Sequence, residues 1–343
     1  MLYLVRSFSM PLYGIETQAY ALCAKQKLLA VAYDNRSIVL YDINTAKVLQ
    51  KTTGHKGSIE TVSFDQDCSK IISGGWDNRA VIWDLKRKKS LAIRDFDDAI
   101  MYAAFTENSE DVFLIEDDHY PALFNADLTD ILNIYKPLRE PKVSNGKKFL
   151  VGQKSANGVS VVRIDPKQDW FEFAVDFYIT DSYFSSDDTT LVVQDGSIFY
   201  IWDLVSKKHL YTIISSIYVQ VAALNTPKGE LYMAGKDTLE VWEYAKKILK
   251  YRIKLHELSI EEITNLSFSK DGKLLAVTFV SKDKEAKVVV IDTEKPHMLC
   301  VITALSKYAK GSEFIDGERL LIYSNYPMEI WNIKKVKRVS TFY

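Results

Sequence analysis

Cysteine is scarce in this chain: Cys23, Cys68 and Cys300 are its only three. They are too few and too scattered for a disulfide framework or a zinc site, so the expectation is a reducing, cytoplasmic setting. Neither sign of charge dominates, because 44 Lys and Arg face 45 Asp and Glu. No global field therefore draws the chain to nucleic acid or a lipid surface, and only a local patch could do so. Long apolar runs are missing as well. The longest fall far short of the roughly 20 residues of a membrane-spanning helix, so no membrane insertion is expected. The opening "MLYLVRSFSMPLYG" has one arginine, a short apolar run and no small-residue cleavage site, and reads as mature protein rather than a signal peptide.

The motifs of common chemistries are absent too. There is no Gly-rich phosphate loop, GxSxG elbow, HExxH or Cys-His pairing. The histidines His55, His119, His209, His256 and His297 stand at no ligand spacing, so neither a metal nor a cofactor is expected. The acidic run "EDDHYP" from Glu116 matches no calcium-loop spacing and reads as a solvated turn. The basic run "KRKK" from Lys86 reads as a soluble strand-to-strand turn.

What the chain does have is a repeat. Its 343 residues are 47% apolar and 26% charged, an ordinary globular balance at a length that one core seldom organises without repetition. A hydrophobic-aromatic-acidic signature recurs along it. It reads "IVLYD" ending at Asp42, "VIWD" at Asp84, "ALFN" at Asn125, "VRID" at Asp165, "YIWD" at Asp203, "EVWE" at Glu243, "VVID" at Asp292 and "EIWN" at Asn332. The intervals are 42, 41, 40, 38, 40, 49 and 40 residues. Polar turns such as "DQDCSK", "SNGKK" and "SKDGK" fall midway between anchors, each followed by a short apolar strand. Strands with a bulky last residue, Phe64, Phe105, Phe184, Leu224, Phe268 or Phe314, precede most of them. β-Branched and aromatic enrichment with closely spaced turn signals is a strand pattern, and no long segment has helical periodicity. Each unit supplies four strands, enough for one antiparallel blade. Radial stacking of blades buries both faces and leaves only short edges. No linker interrupts the series, so one domain over residues 1–343 is expected.

These residues resemble the WD-repeat β-propeller family. "GH" at Gly54-His55 precedes "WD" at Trp83-Asp84 at the family's usual separation. The resemblance implies a buried polar relay through His55, Ser73, Asp77 and Trp83. Fragments recur at Trp202-Asp203, at Asp237 with Trp242, and at His256, but most units cannot hold the relay and should rest on shape and packing. Eight anchors imply an all-β propeller of eight four-stranded blades, with seven, the commonest number in the family, as the alternative. Either Leu2–Phe8 or Val336–Tyr343 can supply the outermost strand of the last blade.

The family resemblance also implies a non-catalytic platform that binds a protein or peptide on the loop face, with no nucleic-acid partner. Trp76 lies outside the relay and is a candidate for exposure. Asp97, Asp98, Asp117, Asp118 and Tyr120 fall on the same face, as do Lys282, Lys284, Lys307, Tyr308 and Lys310. The 49-residue interval before Asp292 is expected to place its surplus in turns near Leu255–Thr264 and Val280–Val288, raising a charged lip. The alternative is a propeller enzyme acting on a small polar substrate through carboxylates near the central channel. The sequence names no catalytic residue for it.

Overall fold

The computed structural model describes residues 17–117, 120–136, 138–144, 146–155, 158–164, 170–174, 179–324 and 327–342. They form eight sheets, each of four antiparallel strands joined in chain order. The sheets span residues 17–53, 59–95, 100–134, 139–174, 181–214, 221–254, 260–303 and 311–342. Among the described residues, only the 3-10 turns Thr226–Lys228 and His256–Leu258 are helical. Two compact units divide the chain, residues 1–175 and 176–343, with four sheets in each.

The second blade shows why these residues fold this way. Its strands Ile59–Phe64, Lys70–Gly75 and Arg79–Asp84 are buried almost throughout, whereas Lys89–Asp95 alternates between exposed and half-buried residues. A sheet covered on both faces selects continuous apolar and small residues, and an edge strand open to water selects alternation. First strands of successive blades lie against one another from the first to the third blade and from the fifth to the eighth. Between the first two blades the core joins Ala30, Ile38 and Leu40 to Phe64, Ile71 and Val81. Phe64 and Phe105, the bulky strand ends of the second and third blades, are fully buried, and each such side chain stabilises the fold by about 1.5–3 kcal/mol.

The repeated anchor has a backbone counterpart. In seven blades the register between third and fourth strands shifts at the anchor residue: Tyr41, Trp83, Phe124, Trp202, Trp242, Ile291 and Trp331. A bulge turns the side chain at that point and increases the local twist. The fourth blade pairs without a shift, and its anchor Ile164 falls just beyond the strand Gly158–Arg163. Asp165 lies outside the described residues.

Two expectations need correction, and one open alternative is resolved. The surplus of the seventh unit sits in its strands, not its turns. Ile260–Phe268, Leu274–Ser281 and Ala286–Asp292 have 9, 8 and 7 residues, against 5, 5 and 6 for the matching strands of the sixth blade. Two register shifts in the first of them absorb extra residues without breaking the ladder. The last blade is completed by its own strand Lys337–Phe342, paired with Met328–Asn332; Leu2–Phe8 lies outside the described residues. Finally, Cys23 and Cys68 are joined as a disulfide, which leaves Cys300 as the free thiol. The cysteines are 45 residues apart, about one repeat, so stacking two blades brings together side chains that look scattered in the sequence.

Candidate functional site: the loop face of the first unit

The second blade carries the relay. Trp83 Nε1 donates to Ser73 Oγ at 2.9 Å, and Ser73 Oγ lies 2.8 Å from His55 Nε2. His55 Nδ1 stands 3.0 and 3.1 Å from the two oxygens of Asp77. A carboxylate only accepts, so Nδ1 carries the proton, and in the neutral ring the Ser73 hydroxyl donates to Nε2. Asp77 also accepts from the Lys56 amide at 2.6 Å. Burial acts to raise the Asp77 carboxyl, but bonds from His55 and from the Lys56 and Gly57 amides outweigh it and hold the group below its ordinary value. Gly54 is required by contact: a Cβ there would sit 2.7 Å from the Trp83 ring. The relay closes the loop before the blade onto the turn between its second and third strands.

That turn presents Trp76. The indole is 53% exposed, yet its Nε1 donates to Glu60 Oε1 at 2.8 Å, and Glu60 is only 7% exposed. The Trp76 amide also donates to Ser58 O at 2.8 Å. An exposed aromatic face is thus held in one orientation from below. Hydrogen bonds extend the surface into the third blade. Phe96 N donates to Asn78 O (2.8 Å), Asn78 Nδ2 to Asp97 O (3.1 Å), and Asp117 N to Ala99 O (2.8 Å). Asp98 caps the Ala99 amide at 2.9 Å, and Arg79 pairs with Asp95 at 2.6 Å. Asp97 is exposed, Asp98 and Asp117 are half-buried, and Tyr120 is 53% exposed. The structure therefore gathers Trp76, Asp97, Asp98 and Asp117 on one run of connected loops. Asp118 lies outside the described residues.

The lysines belong to the second unit. Lys282 and Lys284 are exposed on the turn of the lengthened seventh blade, where Lys284 Nζ bonds Glu261 at 2.5 and 2.6 Å. That bond, with the charges of Lys284 and Lys236, holds the Glu261 carboxyl below its ordinary value. Lys307, Tyr308 and Lys310 follow on the loop into the eighth blade. Tyr308 is half-exposed, and burial together with the Glu262 charge pushes its hydroxyl up. His256 is exposed and takes part in no relay like that of His55.

Two arrangements were not foreseen from the sequence. Glu240, buried completely, accepts from Trp242 Nε1 (3.1 Å), Ser215 Oγ (2.9 Å), Ser216 Oγ (2.6 Å) and the Arg252 guanidinium (2.9 and 3.1 Å). Glu329, equally buried, accepts from Trp331 Nε1 at 3.0 Å and from the Leu305 amide at 2.7 Å, with Arg338 at 3.7 Å. The sixth and eighth blades thus use one carboxylate where the second uses His, Ser and Asp. The signal was present as Glu-x-Trp in "EVWE" and "EIWN". Lys147 is the other surprise. From the first turn of the fourth blade it reaches back to the second, donating to Ser63 Oγ (3.1 Å) and Phe64 O (3.4 Å), and burial pushes its ammonium down to about 8.

Comparison with known proteins agrees with this fold. Residues 46–84, the second repeat, match the family described as "WD domain, G-beta repeat". Eukaryotic translation initiation factor 3 subunit I of Nematostella vectensis is 24% identical over 281 residues, covering 72% of this chain and 84% of that protein. Transcription factor unc-37 of Caenorhabditis elegans is 22% identical over 181 residues, 52% of this chain but only 30% of that longer protein. Small ribosomal subunit protein RACK1 of Drosophila melanogaster is 31% identical over 74 residues, 22% of this chain and 23% of that one. Among solved structures, the β-propeller domain of Myceliophteria thermophila Cps50 (Swd1) superposes with a TM-score of 0.52 at 13% identity, covering 94% of this chain and 96% of that one. The fold is therefore an all-β propeller of eight four-stranded blades. The WD-repeat match itself rests on the second repeat, and the chain as a whole is similar to proteins of that family.

Proposed function

We propose that the chain is a non-catalytic binding platform that docks a protein or peptide segment on the loop face of its first unit, around Trp76. The observation that carries this reading is the bond from Trp76 to Glu60. An aromatic that is half in water but already fixed loses little further freedom when a partner covers it, which is how interface anchors gain affinity. The carboxylates of Asp97, Asp98 and Asp117 on the adjoining loops favour a partner segment carrying Lys or Arg, whose approach they would steer. Two relatives carry names that place them in translation, as an initiation-factor subunit and a small ribosomal subunit protein, and a cytoplasmic protein partner is in keeping with them. The enzymatic alternative calls for available acids, whereas the completely buried Glu240 and Glu329 already bond tryptophan and the loop before their blade.

The test begins with a partner recovered by affinity purification and re-bound as a purified component. Trp76→Ala should weaken that binding at least tenfold, and Asp97→Lys with Asp117→Lys should weaken it further and abolish its salt dependence. Melting temperature should hardly move. Unchanged affinity in both variants removes this face as the docking site.

A further inference from the structure

The disulfide falls in a place where other blades make weaker contacts. In seven of the eight blades the first turn, between first and second strands, holds one residue in the left-handed region: Lys27, Cys68, Ser109, Lys147, Asp188, Gly229 and Gly272, with φ between 57° and 69°. At these corners successive blades touch. Gln66 N donates to Ser109 Oγ at 2.8 Å, Ser186 N to Thr226 Oγ1 at 2.9 Å, and Asn225 Nδ2 to Gly272 O at 2.9 Å. The corner between the first and second blades has its own non-covalent ties: Lys25 Nζ pairs with Asp67 at 2.9 Å, and Gln26 Nε2 donates to Asp67 O. The sulfur–sulfur bond is laid over a contact that has other support. Both cysteines are buried, so the two sulfurs would stay neighbours with the bond open.

We propose that Cys23 and Cys68 form a reversible redox clamp between the first two blades, closed by a disulfide-bearing oxidant such as oxidised glutathione and opened by a dithiol. In closing, the two thiols give up two protons and two electrons. The sulfur–sulfur bond of the oxidant accepts both and leaves as two thiols. Opening reverses this through a mixed disulfide. Burial of both sulfurs means that exchange waits for the turn Asp65–Cys68 to lift, so the clamp changes state slowly and selectively. In a reducing compartment the resting form is the dithiol, and oxidation stiffens the blade that carries the relay and Trp76. The inference does not depend on what binds Trp76.

The test uses the full chain with Cys300→Ser, first folded and then equilibrated in graded oxidised and reduced glutathione. Thiols are trapped by alkylation and counted by mass. The expected result is a transition between zero and two alkyl groups on Cys23 and Cys68. Far-UV circular dichroism should be the same at both ends, and the oxidised form should melt higher by roughly 5–10 °C. A Cys23→Ser, Cys68→Ser variant should melt like reduced protein in every buffer. Two results overturn the proposal. Thiols that remain alkylatable in fully oxidised buffer mean that no bond forms. Loss of the β-sheet spectrum when folded wild type is reduced means a fixed staple, not a clamp.

Discussion

Trp242 and Glu240 stand two residues apart on one strand, and the indole of the first donates to the carboxylate of the second. Trp331 and Glu329 repeat the pair in the eighth blade. In both, the carboxylate also holds the loop that enters the blade, through Ser215 and Ser216 in one and Leu305 in the other. A buried acid in this setting is a fastener.

Glu240→Ala should therefore destabilise the protein by about 3 kcal/mol, since it strands the partly buried Trp242 indole donor and unties a loop. Hydrogen exchange of Ser216 to Val219 should quicken, while exchange in the second blade stays unchanged. A loss below about 0.5 kcal/mol, read from denaturant midpoints, would show that the carboxylate is not a fastener.

His55→Ala or Asp77→Ala should cost about 1–3 kcal/mol through the polar group left unpartnered. Gly54→Ala should be destabilising by contact alone, because its new methyl meets the Trp83 ring. Trp83→Phe combined with Gly54→Ala should recover part of that loss, and thermal melts of Gly54→Ala, the double variant and wild type measure it. Equal melting temperatures for Gly54→Ala and wild type would contradict the packing.

Acid should weaken the fold through Asp77 and Glu240, both held below their ordinary values. A carboxyl with a lowered folded pKa binds protons more readily unfolded. Its contribution is therefore complete above the unfolded value and lost as pH falls through the folded one. Melting temperature should stay level from neutrality down to about pH 5 and drop below about pH 4. Asp77→Asn should start lower and fall less steeply. An equally steep fall would assign the acid sensitivity elsewhere.

Glu60→Leu removes the acceptor that orients Trp76 but leaves the indole in place. Partner affinity should fall about three- to tenfold, mostly through faster dissociation, as expected when a fixed anchor becomes free to rotate. Trp76 fluorescence anisotropy decay, recorded with the other tryptophans replaced by Phe, should show greater ring mobility. Affinity unaffected by that mobility would detach binding from orientation.

Replacing Lys282 to Glu285 with glycine and serine should leave the melting temperature within about 2 °C, because the Lys284–Glu261 pair is exposed and screened by water. Shortening the strands beneath it should cost far more, since residues such as Phe279 and Val280 are buried. Matched melting curves of the two variants separate turn from strand.

The blade count and the relay were readable because both repeat something local. The anchors recur at about one blade's length, and His55, Ser73, Asp77 and Trp83 follow a known order. What escaped the sequence depends on which repeats become neighbours. Cys23 meets Cys68 only after two blades stack, and Lys147 bonds Ser63 across 84 residues. The left-handed residues inside the turns escaped for a different reason. Lys27, Cys68 and Ser109 adopt a left-handed conformation that usually announces itself as glycine or asparagine. The extra length of the seventh unit was assigned to turns because strands ordinarily keep their size, but paired bulges let a strand take in residues.

Among the described residues, each sheet is made of four consecutive strands, and none borrows a strand from the other end of the chain. Every blade can thus complete its own backbone hydrogen bonds once its roughly forty residues have left the ribosome, with no wait for the carboxy terminus. Synthesis and assembly can proceed in the same direction, one module at a time. A nascent chain paused midway would present finished sheets, not a half-made one awaiting a distant strand.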